Sequence, residues 1–207
     1  MTAIYHITHV DNLPAILQHG GLFCDADVAS RCPTHRNIGY SHIKERRLTT
    51  PVPVGPRGAL GDYVPFYFAP RSPMLFVIDR GGVPAYTEGQ EPVLHLVASA
   101  EAVVAARLGF AFTDGHAVMA ISGYFDDLGQ LPRVDWNVMG ARYWNDTQAD
   151  QDRKRRREAE FLVHRFFPWA LVEEIGTLTP AMRERVESLL PVAGYRPRVT
   201  ECPGWYY

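Results

Sequence analysis

No window of the 207 residues approaches 18 uninterrupted apolar side chains, so the sequence holds no membrane-spanning helix and no membrane partner is expected. The opening Met1-Thr2-Ala3-Ile4-Tyr5-His6 lacks the basic segment and apolar stretch of a secretory signal. Cysteine is scarce. Cys24, Cys32 and Cys202 are odd in number and unevenly spaced, which fits a reducing cytosol, and so a cytoplasmic location, better than a disulfide framework. Net charge is also small, −2, so nothing attracts a polyanion globally and any such binding must come from local patches. Neither G-x-x-x-x-G-K-[ST] nor G-x-G-x-x-G occurs, which removes the P-loop and the Rossmann fingerprint. No G-x-S-x-G elbow points to a serine nucleophile. Cys24, Cys32, His35 and His42 follow a C-x7-C-x2-H-x6-H spacing that matches no compact zinc pattern, so no metal is expected.

The length points to one domain spanning 1–207, and an apolar fraction of 46% is ordinary for a globular chain. Ile4–His9 reads as a short strand rich in β-branched and aromatic residues. Asp11 is a candidate N-cap for a helix with Leu13, Ile16 and Leu17 on one stripe, tolerant of Pro14 in its first turn and stopped by Gly20-Gly21. Residues 25–61 read as irregular, apart from a candidate helix over Tyr40–Leu48. Their Arg36, Lys44, Arg46, Arg47 and Arg57 suit an anionic ligand, with a plain surface loop as the alternative. Tyr63–Pro70 resumes as an edge or bulged strand, Ser72-Pro73 caps a turn into the apolar run Met74–Ile78, and Val93–Val97 is a further strand. Ser99 is a candidate N-cap for a helix through Leu108, and Phe110–Ile121 reads as a strand or strand pair. Phe161–Phe167 and Ala170–Ile175 read as strands, and Thr179-Pro180 opens a last helix that Pro191 stops. Together this is a mixed α+β pattern of short strands and few, short helices.

Two stretches carry unusual chemistry. Residues 122–152 are polar yet hold Tyr124, Phe125, Trp136, Tyr143 and Trp144, side chains that either pin the loop to the core or stack on bases at about 1–3 kcal/mol each. Next come Arg153-Lys154-Arg155-Arg156-Arg157 and then Glu158 and Glu160, ahead of an apolar strand. On an extended chain those two carboxylates project from the same side. A carboxylate at the mouth of a buried strand beside a dense positive field suits chemistry on a polyanion; the alternative is a solvated charged loop.

A histidine in the first strand, aromatics in a second and a glutamate opening a late one therefore remain as candidates. In this the chain resembles a known family. Tyr5-His6-Ile7-Thr8-His9, followed by Asn12-Leu13-Pro14-Ala15-Ile16-Leu17 and Gly20, is similar to the first strand and helix of ADP-ribosyltransferases. Tyr63–Met74, with Ile43–Arg47 and Glu160–Val163, resembles the DarT family of DNA ADP-ribosyltransferase toxins over nearly the whole chain. The resemblance implies an α+β ADP-ribosyltransferase-like fold, a split mixed β-sheet core with short flanking helices. It implies NAD as co-substrate and thymine bases of single-stranded DNA as acceptors. It further implies a DarG-type antitoxin whose macrodomain removes the modification.

Carried over by position, His6 takes the strand-one histidine place, with Ile7 and Thr8 beside the ribose; Ile7 stands where glycine often follows the histidine. Tyr67 and Phe68 both fall where an aromatic stacks on nicotinamide, and Lys44 is assigned to the cofactor with them. Glu160 takes the catalytic place, and Glu158 makes the pair resemble the E-x-E of some protein-modifying relatives. Breaking the bond between nicotinamide and ribose develops oxocarbenium character at the ribose C1, which a carboxylate in a dry site stabilises. Arg46 or Arg47, with Arg47 favoured, would bind pyrophosphate or a deprotonated base. Tyr143 and Trp144 would select the base, and Arg153, Lys154, Arg155 and Arg156 would hold the DNA backbone. Two alternatives stand beside this reading: ADP-ribosyl transfer to protein or RNA, and a non-catalytic nucleic-acid-binding module.

Overall fold

A computed structural model describes all residues, 1–207. In chain order the strands are β1 (Ala3–His9), β2 (Gly21–Phe23), β3 (Tyr63–Tyr67), β4 (Val93–Ser99), β5 (Phe110–His116), β6 (Tyr124–Phe125), β7 (Ala159–His164), β8 (Phe166–Pro168), β9 (Glu174–Thr177) and β10 (Arg198–Glu201). The helices are α1 (Leu13–His19), α2 (Asp25–Arg31), α3 (Ser41–Arg47), α4 (Pro73–Asp79), α5 (Ala100–Ala105), α6 (Trp136–Gly140), α7 (Arg153–Arg157) and α8 (Pro180–Leu189). Eight strands make one mixed sheet in the order β10-β9-β4-β1-β3-β7-β5-β6, while β2 and β8 pair separately. Only β9 and β10 run parallel. This is the α+β mixed sheet with short flanking helices that the sequence led us to expect.

The sheet divides at its middle. β1 pairs with β4 through seven register positions, and β3 with β7 through five, yet β1 and β3 meet only at Tyr5↔Tyr67. Two half-sheets therefore splay apart beyond that pair. His6 bridges the gap, its Nδ1 2.8 Å from the Pro65 carbonyl. On one face the core fills with Phe66, Phe112, Phe161 and Phe167, each fully buried and worth about 1.5–3 kcal/mol of burial. Strand alternation then sends their neighbours Tyr67 and Glu160, which are register partners, to the opposite face, where the split opens.

Several local expectations change. Asp11 does not cap α1; it lies in a 3-10 turn, Val10–Asn12, and its own backbone N–H donates to His9 Nδ1 at 3.1 Å. Met74–Ile78 is helical because the Ser72 hydroxyl accepts the Leu75 N–H at 3.2 Å and Pro73 presets the first turn. The run Phe161–Phe167 breaks into β7 and β8 at Arg165, whose φ of 65° no strand accommodates. Leu171 ends a 3-10 turn, and the strand predicted over Ala170–Ile175 begins only at Glu174. Residues 25–31 form the helix α2 instead of loop, and α5 ends at Ala105, short of Leu108. Glu158 closes α7 with a non-extended backbone (φ −90°, ψ 17°), so its side chain does not share the strand alternation of Glu160.

Candidate active site

Glu160 lies at the floor of a cavity of about 500 Å³ in the split, 4% exposed. Its Oε2 accepts from Arg47 Nη1 at 2.7 Å, and its Oε1 accepts the Ala117 N–H at 3.3 Å with His116 Nδ1 3.7 Å away. Its own N–H donates to the Thr113 hydroxyl at 3.1 Å, which fixes the start of the strand. Burial alone would raise this carboxyl, but Arg47 and His116 outweigh it and hold the group at about 2. Glu160 is therefore an anion throughout the physiological range. Burial works against the Arg47 cation too, and Glu160 with Asp25 more than compensates, raising its pKa. Arg47 Nη2 and Nε are buried with no hydrogen-bond partner, so this guanidinium retains donors beside the cavity.

The other cofactor candidates divide cleanly. His6, Ile7 and Thr8 line the cavity from β1, Tyr67 from β3, and Lys44 from α3. Burial lowers the His6 pKa, keeping its imidazole neutral against the Pro65 carbonyl. Tyr67 resolves the open pair of aromatics: it lines the cavity, while Phe68 is 5% exposed and packs edge-on against Phe112, Phe161 and Trp136 in the core. Lys44 Nζ lies 3.2 Å from Asp25. Arg46 does not reach the cavity; it donates to the Val118 carbonyl at 3.0 Å and braces the turn after β5.

The basic run is a helical turn with most of its charge already engaged. Arg155 pairs with Asp152 at 2.7 Å and Asp114 at 3.1 Å, and Arg156 pairs with Asp150 and Asp135. Arg157 is buried beneath the carbonyls of Val138, Met139 and Arg71. Arg153 donates to the Tyr143 carbonyl at 2.8 Å, and Lys154 alone of the five lines the cavity. Among the aromatics of residues 122–152, Tyr143 is 76% exposed, whereas Trp144 is buried, walls the cavity and donates its indole N–H to the Tyr207 hydroxyl at 2.9 Å. Cys24, Cys32, His35 and His42 assemble no metal-binding group.

Sequence reasoning missed Asp25 and His116 and weighed His35 only as a metal ligand. Asp25 opens α2, a helix not expected, and lies 3.7 Å from Arg47 Nε. His35 lines the cavity, with burial lowering it to about 4. His116 is raised because its contact with Glu160 overcomes burial. A histidine ending a strand carries no signal until that strand is placed beside β7, so only pairing reveals it. Glu158 also lines the cavity, and burial raises its carboxyl pKa.

An anionic glutamate at the second residue of β7, a strand-one histidine and a tyrosine on the paired strand gather at a split in a mixed sheet, the positions that the resemblance assigns to an ADP-ribosyltransferase site. Comparison with known proteins names the kind. A family model described as ssDNA thymidine ADP-ribosyltransferase, DarT, matches residues 5–207. A DNA ADP-ribosyl transferase of Thermus aquaticus is 46% identical, covering 100% of this chain and 89% of the relative. The solved structure of Thermus sp. 2.9 DarT in complex with ADP-ribosylated ssDNA superposes with a TM-score of 0.92 at 46% identity, covering 100% of this chain and 96% of that one. The same Thermus protein in complex with NAD+ gives 0.89 at 44% identity, over 100% and 98% of the two chains. A Thermosipho africanus fusion of a DNA ADP-ribosyl transferase and a DNA ADP-ribosyl glycohydrolase is 23% identical over 77% of this chain and 38% of its own length. The chain belongs to the DarT family of DNA ADP-ribosyltransferases.

Proposed function

We propose that the chain transfers ADP-ribose from NAD to thymine bases of single-stranded DNA, with Glu160 as the catalytic carboxylate and Arg47 as its cationic partner. The observation that carries the residue roles is the Arg47–Glu160 pair at the cavity floor, 2.7 Å apart, with guanidinium donors left over. His6, Ile7 and Thr8 hold the nicotinamide and its ribose, and Tyr67 stacks on the nicotinamide ring. Lys44 and Asp25 sit where the rest of the cofactor must pass. As the bond from ribose C1 to nicotinamide breaks, its electron pair leaves with neutral nicotinamide and positive charge develops at C1, facing the Glu160 anion. A thymine ring nitrogen attacks C1, and its proton, made acidic as the new N–C bond forms, passes to the Glu160 carboxylate. Arg47 stabilises the negative charge that builds on the base, while Arg46 acts through the turn it braces.

Trp144, which lines the cavity, selects the base, and exposed Tyr143 stacks on a neighbouring base. Lys154 and Arg153 meet the DNA backbone directly; Arg155 and Arg156 contribute positive field from within their carboxylate network. A bulky adduct on thymine would block replication, which is a toxin's action. The Thermosipho fusion of transferase and glycohydrolase supports a DarG-type macrodomain partner that reverses it. No helix is long and apolar enough to cross a membrane.

The test is incubation of the protein and NAD with oligonucleotides that contain or lack thymine, in parallel with RNA and protein acceptors, read by mass. A gain of one ADP-ribose confined to thymine-containing single strands supports the reading. No adduct, or an adduct on RNA or protein alone, refutes it.

A further inference from the structure

Part of the cavity wall is irregular backbone. Residues 33–40 belong to no helix or strand, yet Thr34, His35, Arg36, Asn37 and Tyr40 all border the cavity. Such a segment holds one shape only if its backbone polar groups are tied to something rigid. Its tie is Asn12, which is 4% exposed in the 3-10 turn that follows β1. The Asn12 Oδ1 accepts the Arg36 N–H at 2.7 Å, and its Nδ2 donates to the Arg36 carbonyl at 3.0 Å and to the Thr8 hydroxyl at 3.1 Å. One buried amide thus grips both backbone groups of a single wall residue and, at the same time, a cavity-lining side chain of strand one. From outside, the Arg36 guanidinium adds exposed ion pairs with Glu88 and Asp11, which are worth little by comparison.

We propose that Asn12 is a positioning residue for NAD: it sets residues 33–40 against strand one at the width the dinucleotide needs. This rests on the reading that NAD occupies this cavity. Asn12 bonds only Thr8 and the Arg36 backbone and touches neither Glu160 nor Arg47, so its loss acts on cofactor binding and spares both chemistry and DNA. Asn12→Ala removes all three bonds. Asn12→Asp keeps the shape and the bond from the Arg36 N–H but places a carboxylate oxygen against the Arg36 carbonyl. Both variants are expected to raise the KM for NAD about tenfold, with kcat within about twofold and the KM for DNA unchanged.

Thermal shift with NAD alone separates the two readings. Wild-type protein that NAD does not stabilise refutes the NAD reading itself. Wild-type protein stabilised by NAD, with Asn12→Ala stabilised to the same extent, refutes the clasp alone. Kinetics give a second arm: an unchanged KM for NAD, or a fall in kcat alone, also overturns it. Hydrogen exchange on the wild-type protein tests the clasp without any variant. The Arg36 amide is expected to exchange slowly and to slow further when NAD is added; free exchange at Arg36 in both states refutes the proposal.

Discussion

Arg47→Met should convert a pH-insensitive site into a pH-sensitive one. In the native protein the Arg47 guanidinium is what keeps the buried Glu160 ionised. Methionine preserves volume but leaves the carboxylate with only the Ala117 N–H at 3.3 Å and His116 at 3.7 Å. Removing one partner of a buried pair costs about 3–5 kcal/mol at neutral pH, because the other charge stays desolvated. Asp25 is less affected, since Lys44 remains 3.2 Å away. The signs differ between the two proteins. In the wild type the Glu160 pKa is depressed, so its contribution is complete above the unfolded value and is lost as pH falls through about 2. In Arg47→Met burial dominates and the pKa is raised, so the variant regains stability as pH falls and Glu160 takes up a proton. Urea unfolding of the wild type, Arg47→Met, Glu160→Gln and the double variant, at about pH 7 and about pH 5, reads this directly. The gap between wild type and Arg47→Met should be widest at the higher pH, and the double variant should recover most of the loss. A gap that does not change with pH, or losses that simply add in the double variant, would refute the reasoning.

Other expectations follow from contacts. Lys154→Ala should weaken DNA binding and reduce the slope of log affinity against log salt by about 1, while Arg156→Ala, which breaks pairs to Asp150 and Asp135, should lower the melting temperature with a smaller change in slope. Phe68→Ala should cost about 3–5 kcal/mol in chemical denaturation without raising the KM for NAD, and Tyr67→Ala should raise that KM, because only Tyr67 faces the cavity. His95 is fully buried with Nε2 2.9 Å from the Pro70 carbonyl, and burial depresses it to about 4. A lowered histidine favours the fold above its unfolded pKa, so stability should fall by roughly 3 kcal/mol as pH drops from about 6.5 to about 4, and His95→Gln should flatten that slope in a urea titration.

Local signals carried well where chemistry is local. Pro14 and Gly20 bracket α1, and Thr179-Pro180 starts α8 with the Thr179 hydroxyl accepting the Met182 N–H at 3.1 Å. Glu160 stood out in the sequence because it precedes an apolar strand in a setting that resembles a family, and the structure places it buried in the cavity lining. What escaped was whatever depends on pairing between distant segments. The register Tyr67↔Glu160 decides that Tyr67, and not Phe68, faces the cavity, and no feature of either strand alone encodes it. Arg157 looked like one more surface cation, yet it is buried because three carbonyls from two separate segments converge on it. The basic run illustrates the same limit, since its carboxylate partners Asp114 and Asp135 lie well upstream in the sequence.

The most direct measurement is the rate of ADP-ribose transfer to a thymine-containing single strand by Glu160→Gln, at saturating NAD, alongside its thermal shift with NAD. Glutamine keeps the shape and can still accept the Ala117 N–H but carries no charge. The expected result is a folded protein that still binds NAD and has lost about 10²–10³ or more in kcat, the scale for removing an electrostatic stabiliser. A folded Glu160→Gln that transfers ADP-ribose at the wild-type rate would contradict the assignment of Glu160 as the catalytic carboxylate.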